Sequence, residues 1–212
     1  MSSDVQITGR IVAAGRALAG IGREDFARIA GLPVEKVALI EAALHDFDQL
    51  PADSYLSLNV SPETILAGAL GTVLADQPLA RLMLEVTEHA SVQDYSQLAE
   101  ALEPLRSKGL RLAVDDAGAG YASFRHILKL KPDVIKLDSS LIRNVDSDTG
   151  CRALAAALIR FAEETGCKVV AEGVETQEEL AMLRRLEVNK AQGYLIGRPM
   201  PLHHGLAMSR QA

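Results

Sequence analysis

Aromatic residues make up only 4% of this 212-residue chain, and tryptophan is absent. Platforms that stack single-stranded bases draw on aromatic side chains, so that function class is poorly served. Positive charge is also short: 22 basic residues face 28 acidic ones, for a formal net charge of −6. A broad non-specific nucleic-acid surface needs a basic stripe, and none stands out. Only two cysteines occur, Cys151 and Cys167, each at one end of an apparent helix and without metal-type spacing. They read as packing residues in a reducing compartment. The histidines His45, His89, His126, His203 and His204 share no spacing, which disfavours zinc chemistry. No charge-free run reaches the ~18 residues of a membrane span. The opening MSSDVQITGR lacks the basic-then-apolar plan of a secretory signal. The expectation is a cytoplasmic protein without a membrane partner.

Apolar material, by contrast, is plentiful at 48% of residues, enough for a substantial core in one large domain or one domain with a small appendage. From Ser54 onward the pattern alternates strand and helix. Strands are expected at Tyr55–Val60, Leu82–Val86, Arg111–Asp115, Val134–Asp138, Lys168–Glu172 and Ala191–Leu195. Tyr95, Leu98, Leu102 and Leu105 stripe one helix. Leu154, Leu158, Phe161 and Ala162 stripe a second, which stops at Thr165-Gly166. Thr176, followed by Glu178 and Glu179, marks the N-cap of a third running to Leu186. Strands spaced for βαβ units suggest an α/β fold, either an open doubly wound sheet or a (β/α)₈ barrel. Almost every strand end carries a polar residue, which a barrel rim would gather around one centre, so the barrel is favoured. Residues 1–50 differ: Ile7–Ala19, Arg23–Ala30 and Pro33–Leu50 read as helices in an N-terminal segment preceding a core over 51–212.

Four apolar runs close on oxygen donors: LSLNVS on Asn59, LMLEVTE on Glu85, RLAVDDAGAGY on Asp115 and Asp116, and KVVAEGVE on Glu172. Carboxylate and amide oxygens brought strand by strand to one rim suit a hard divalent cation. Each motif also has a plainer reading. Asp115–Asp116 could be a helix cap before a glycine turn. Lys136 lies inside the apolar strand VIKLD, with Asp138 two residues on and so on the same face. That pair could be a satisfied ion pair in a barrel interior, or a cation held beside a metal-bound water or a phosphate. Of Glu172 and Glu175, one could be a ligand while the other caps the next helix. Glu88 reads as a loop anchor, and Gln192 as a polar residue facing inward.

In order and spacing, LSLNVS, LEVTE, LAVDDAGAGYASFRHI, PDVIKLD, VVAEGVET and AQGYLIGRP resemble the EAL-type cyclic di-GMP phosphodiesterases of bacteria, over about Leu50 to Pro201. The resemblance implies a modified TIM barrel whose first strand runs antiparallel. It also implies hydrolysis of cyclic di-GMP to linear pGpG with two Mg²⁺ or Mn²⁺ ions, and a tendency to pair as a homodimer through the loop at Ala117–Tyr121. By resemblance Asn59, Glu85, Asp115, Asp116 and Glu172 are metal ligands. Lys136 orients the nucleophilic water and, with Asp138, serves the substrate phosphate. Glu175 and Gln192 support water and metal, and Glu88 braces the loop after Asp115–Asp116. The front departs from the family. Arg16-Ala17-Leu18 stands where the Glu-Ala-Leu motif is expected, and a guanidinium cannot ligate Mg²⁺. The family's first barrel strand has no evident counterpart. The implied function is therefore a degenerate EAL domain that binds cyclic di-GMP or a protein partner with weak or no hydrolysis. The alternatives are a working phosphodiesterase and a transcription regulator. The last arises because residues 16–42 also resemble a Cro/repressor-type helix-turn-helix. Its would-be recognition helix carries Glu35 and Glu41 beside Lys36, poor equipment for reading DNA.

Overall fold

The short apolar runs form parallel strands in the computed structural model, which describes residues 6–7, 51, 54–68, 70–74, 77–87, 94–118 and 122–199. The strands are β1 (Gln6–Ile7), β2 (Leu56–Asn59), β3 (Leu82–Thr87), β4 (Arg111–Ala117), β5 (Val134–Leu137), β6 (Lys168–Ala171) and β7 (Lys190–Ala191). The helices are α1 (Pro62–Leu66), α2 (Leu70–Val73), α3 (Tyr95–Arg106), α4 (Ala122–Leu130), α5 (Ser139–Ile142), α6 (Thr149–Thr165) and α7 (Gln177–Arg185). The chain divides into two compact units, one of residues 1–10, 87–89 and 112–199, the other of residues 11–86, 90–111 and 200–212.

In the first unit the strand order is β1-β7-β6-β5-β4, and each of these pairs is parallel. β5 is buried along its whole length, as a parallel strand covered on both faces should be. Its core joins Val114, Ile135, Leu137 and Val169 of the strands to Leu158, Ile159 and Ala162 of α6 and Leu183 of α7. Asp148 starts α6 by accepting from the amides of Gly150 and Cys151 at 2.7 and 3.0 Å. Gly166 ends it in the left-handed conformation, φ 75°, where a residue without Cβ is least strained. The buried stripe of α6 is Ala155, Leu158, Ile159 and Ala162. Leu154, expected on that stripe, faces solvent at 40% exposure. α7 starts on Thr176 with a reciprocal capping box to Glu179, as the sequence suggests.

In the second unit β2 pairs in parallel with β3. Asp94 caps α3, accepting from Ser96 and Gln97, and Leu98, Leu102 and Leu105 form its buried face. Arg81 ties down the approach to β2 by donating to the carbonyls of Ser54 and Pro51 at 3.1 and 2.8 Å.

Two expectations are corrected here. The helix expected from Ile7 begins on a strand residue, since Gln6 and Ile7 pair with Lys190 and Ala191. The strand expected over Ala191–Leu195 is confined to Lys190–Ala191, and Tyr194–Ile196 turn away. Residues 11–50, which include Arg16 and the rest of segment 16–42, lie outside the described residues, as does Glu88. No described helix is long and apolar enough to cross a membrane.

Candidate metal and phosphate site

Adjacent residues of a regular strand point to opposite faces, and β4 escapes that rule with a bulge. Val114 pairs with Ile135 and Ala117 with Leu137, so β4 uses one residue more than β5 over the same stretch. Asp116 supplies the irregularity at φ 58°, a left-handed conformation that Asp tolerates better than most L-residues. Its amide donates to Oδ1 of Asp115 at 3.2 Å. Both aspartates therefore turn toward Glu172, the residue after β6. One carboxylate oxygen from each of Asp115, Asp116 and Glu172 lies within 4.8 Å of the other two.

Lys136 enters this group from β5. Its Nζ is 2.8 Å from Oδ1 of Asp115 and 2.7 Å from Oε1 of Glu172, and the residue is only 2% exposed. The β5–β6 register explains the second pair: Leu137 lies opposite Ala171, so Glu172 emerges beside the end of the Lys136 strand. At an effective dielectric constant of ~20, two charged carboxylates within 4.8 Å of one another repel by roughly 3–4 kcal/mol or more. One ammonium cannot by itself neutralise three charged carboxylates. An all-oxygen donor set without His or Cys fits a hard divalent cation of the Mg²⁺, Mn²⁺ or Ca²⁺ type.

Gln192, just past β7, donates its side-chain amide to Oε1 of Glu172. Two glycines permit the close approach behind this contact. Any Cβ at Gly193 would collide with the backbone of Val174. That backbone is held by bonds from Val174 N to Gln192 O and from Leu195 N to Val174 O, both 3.1 Å. Gly173 has φ 70°, and its Cβ would stand 2.5 Å from Cβ of Ser139. The Gly173–Val174 step after Glu172 is thus closely packed, against Ser139 at Gly173 and against Gly193 at Val174.

Asp138 does not hold Lys136; it caps α5, accepting from the amide of Ser140 at 2.9 Å. Partial burial works against its carboxylate, but bonds from Ser140 and Ser139 outweigh this and lower its pKa. The i, i+2 spacing that suggested the pair ignores partners on neighbouring strands. Glu175 is exposed, and the following helix is capped by Thr176 and Glu179 instead. In the second unit Asn59, the last residue of β2, lies opposite Glu85 of β3. Glu85 is 4% exposed, and its carbonyl accepts from Val60 N at 3.0 Å.

The family model "EAL domain" matches residues 25–199. This chain belongs to the EAL domain family. Its α/β, TIM-barrel-like fold is that of the family's solved structures. The EAL domain of Mycobacterium smegmatis DcpA superposes with a TM-score of 0.70 at 27% identity, over 78% of this chain and 77% of that one. A Klebsiella pneumoniae BlrP1 structure, a manganese and cyclic di-GMP complex, gives 0.68 at 31% identity over 85% of this chain and 47% of that one. A cyclic di-GMP phosphodiesterase of Pseudomonas aeruginosa, NbdA, is 42% identical over 121 residues, 57% of this EAL chain. The chain spans 16% of that relative's length.

In the sequence Glu179 reads only as a helix cap, yet its carboxylate also accepts from the amides of Glu175 and Asn144. No local pattern signals a bond across 35 residues.

Proposed function

We propose that this EAL domain binds cyclic di-GMP through Mg²⁺ or Mn²⁺ and hydrolyses it weakly or not at all. The observation that carries this reading is the carboxylate cluster of Asp115, Asp116 and Glu172 with Lys136 between two of its members. The cyclic di-GMP and manganese named for the related structure support it. On family resemblance alone, Asn59 and Glu85 are further candidate metal donors. Divalent ions, when bound, would polarise the phosphodiester and acidify a coordinated water. Lys136 supplies a fixed positive charge for a phosphate oxygen and for the attacking water. Gln192 fixes the orientation of the Glu172 carboxylate, while Glu175 and Glu88 take supporting roles on family resemblance alone. Asp138 presents the end of β5 toward substrate.

Weak hydrolysis follows from the front of the chain. Arg16 stands where the motif glutamate is expected, and the family match begins only at residue 25. Loss of one ligand lowers metal affinity and rate by orders of magnitude. The core is assigned to 51–212, with 1–50 completing or replacing the barrel start. A cytoplasmic location, a homodimer and a protein partner belong to the same reading. The test is incubation with cyclic di-GMP and Mn²⁺ or Mg²⁺, following both binding and pGpG. Binding with little pGpG is expected. Turnover at an ordinary enzymatic rate, about 1–10³ s⁻¹, would establish the working phosphodiesterase instead. Absence of binding would refute the reading.

A further inference from the structure

The carboxylate of Glu179 is 5% exposed and accepts three backbone N–H groups. Oε2 takes Glu175 N at 2.9 Å and Thr176 N at 3.1 Å, and Oε1 takes Asn144 N at 3.2 Å. A capping box requires only the bond to the N-cap residue, here Thr176. The other two bonds reach beyond the helix. Glu175 closes the four-residue run Glu172–Gly173–Val174–Glu175, so its anchored amide is three residues from the cluster carboxylate. Asn144 lies in the turn after α5, held left-handed at φ 61°. Its carbonyl gathers the amides of Ser147 and Asp148 at 3.0 and 2.7 Å. α5 is also the helix whose Ser139 contacts Gly173. The segment leaving β6 is therefore pinned to the segment leaving β5 twice, by packing at Gly173–Ser139 and by hydrogen bonds through Glu179.

We propose that Glu179 is a positioning residue for Glu172, setting the metal affinity of the cluster by joining the β6–α7 and α5–α6 connections. The inference rests on the metal reading above. Lys136 leaves from β5 and Glu172 from β6, so loosening the tie between these connections lets the Glu172 carboxylate drift from the ammonium and from Asp115. Groups outside the ligand set that orient a ligand typically change affinity by ~10–100-fold. Asn144 and Glu175 contribute through their main-chain amides, so side-chain substitution at either position does not report on the tie.

The experiment compares Glu179→Gln, Glu179→Ala and Thr176→Ala with the parent chain. Mn²⁺ binding is read by electron paramagnetic resonance, and amide exchange at Asn144 and Glu175 by NMR. Glu179→Gln keeps one acceptor oxygen but turns an NH₂ toward an amide donor, so it breaks one side of the tie with little demand on folding. Thr176→Ala weakens the helix cap while leaving the bonds to Asn144 and Glu175. The expected result is a ~10-fold loss of Mn²⁺ affinity in Glu179→Gln, with faster exchange at the amide of Asn144 or Glu175 that faces the new NH₂ and at both in Glu179→Ala. Thr176→Ala should retain parental affinity even where its Tm falls as far. Unchanged affinity in Glu179→Gln and Glu179→Ala, with parental binding intact, would overturn this inference alone. Equal losses in the Thr176 and Glu179 variants at matched Tm would also overturn it, because helix stability would then explain both. A parent chain that binds no Mn²⁺ would refute the metal reading and this inference together.

Discussion

Lys136 shows what a single side chain does here. It is almost wholly buried and pairs with two carboxylates that come from different strands. Removing one member of a buried charge group leaves the others without compensation, at a cost of about 3–5 kcal/mol. Lys136→Ala is accordingly expected to destabilise the metal-free protein by that amount in urea unfolding. Added Mn²⁺ should recover part of the loss, because it replaces the missing positive charge. Glu179 makes a pH prediction. Burial raises its pKa, but the backbone bonds from Glu175, Asn144 and Thr176 and the Thr176 side-chain bond prevail and lower it. A depressed carboxylate contributes stability that is complete above the unfolded value, ~4.3, and is lost as pH falls through the folded value. Unfolding curves between pH 7 and pH 3 should show less acid-dependent loss in Glu179→Gln than in the parent. The existence of a buried lysine was legible from VIKLD, but its partners were not. Asp138 was close in sequence, whereas Asp115 and Glu172 became neighbours only through sheet pairing.

At the level of strands and helices, continuous apolar runs and caps carried most of the information. The strands expected at Leu82–Val86, Val134–Asp138 and Lys168–Glu172 appear as Leu82–Thr87, Val134–Leu137 and Lys168–Ala171, and the caps at Thr176 and Gly166 appear where the pattern places them. β7 was overestimated because Ala191–Leu195 has strand-like composition. At Gly193 the chain instead meets the backbone of Val174, a contact that composition does not encode. The bulge in β4 was equally hidden, since adjacent aspartates alone do not reveal an inserted residue. That bulge separates two functions of Asp116. Asp116→Gly should preserve stability, because glycine accepts φ 58°, while Mn²⁺ affinity falls at least ~10-fold from loss of a donor. Asp116→Ala should lose the same affinity and be about 1–2 kcal/mol less stable than Asp116→Gly, because its Cβ stands in the left-handed backbone. Calorimetric titration and thermal unfolding distinguish the two.

Across the whole molecule, membership of the EAL family was legible from six motifs in register, since together they specify strand ends as well as residues. The front of the chain was not legible in the same way: Gln6–Ile7 pairs with β7, and two residues carry no periodic signal. Divalent ions that bind only the folded chain must raise its stability by mass action. At 100 times the dissociation constant, Mn²⁺ should add about 2.7 kcal/mol, measurable as a concentration-dependent rise in Tm. Chemical chelation should reverse the rise, and a Tm insensitive to Mn²⁺ would contradict the metal site. Monovalent sodium at matched ionic strength serves as the control for screening.

The extra residue in β4 makes spacing itself a carrier of chemistry. Deleting one residue between Val114 and Ala117 would let the ladder resume an uninterrupted zipper with β5, a change that ordinary folding assays could score as harmless. The surviving acid would nevertheless stand alone at the cluster, its former neighbour lost or rotated out. Among descendants of this gene, a lost codon at this point should silence cation capture more thoroughly than many missense changes nearby, while leaving a soundly folded protein.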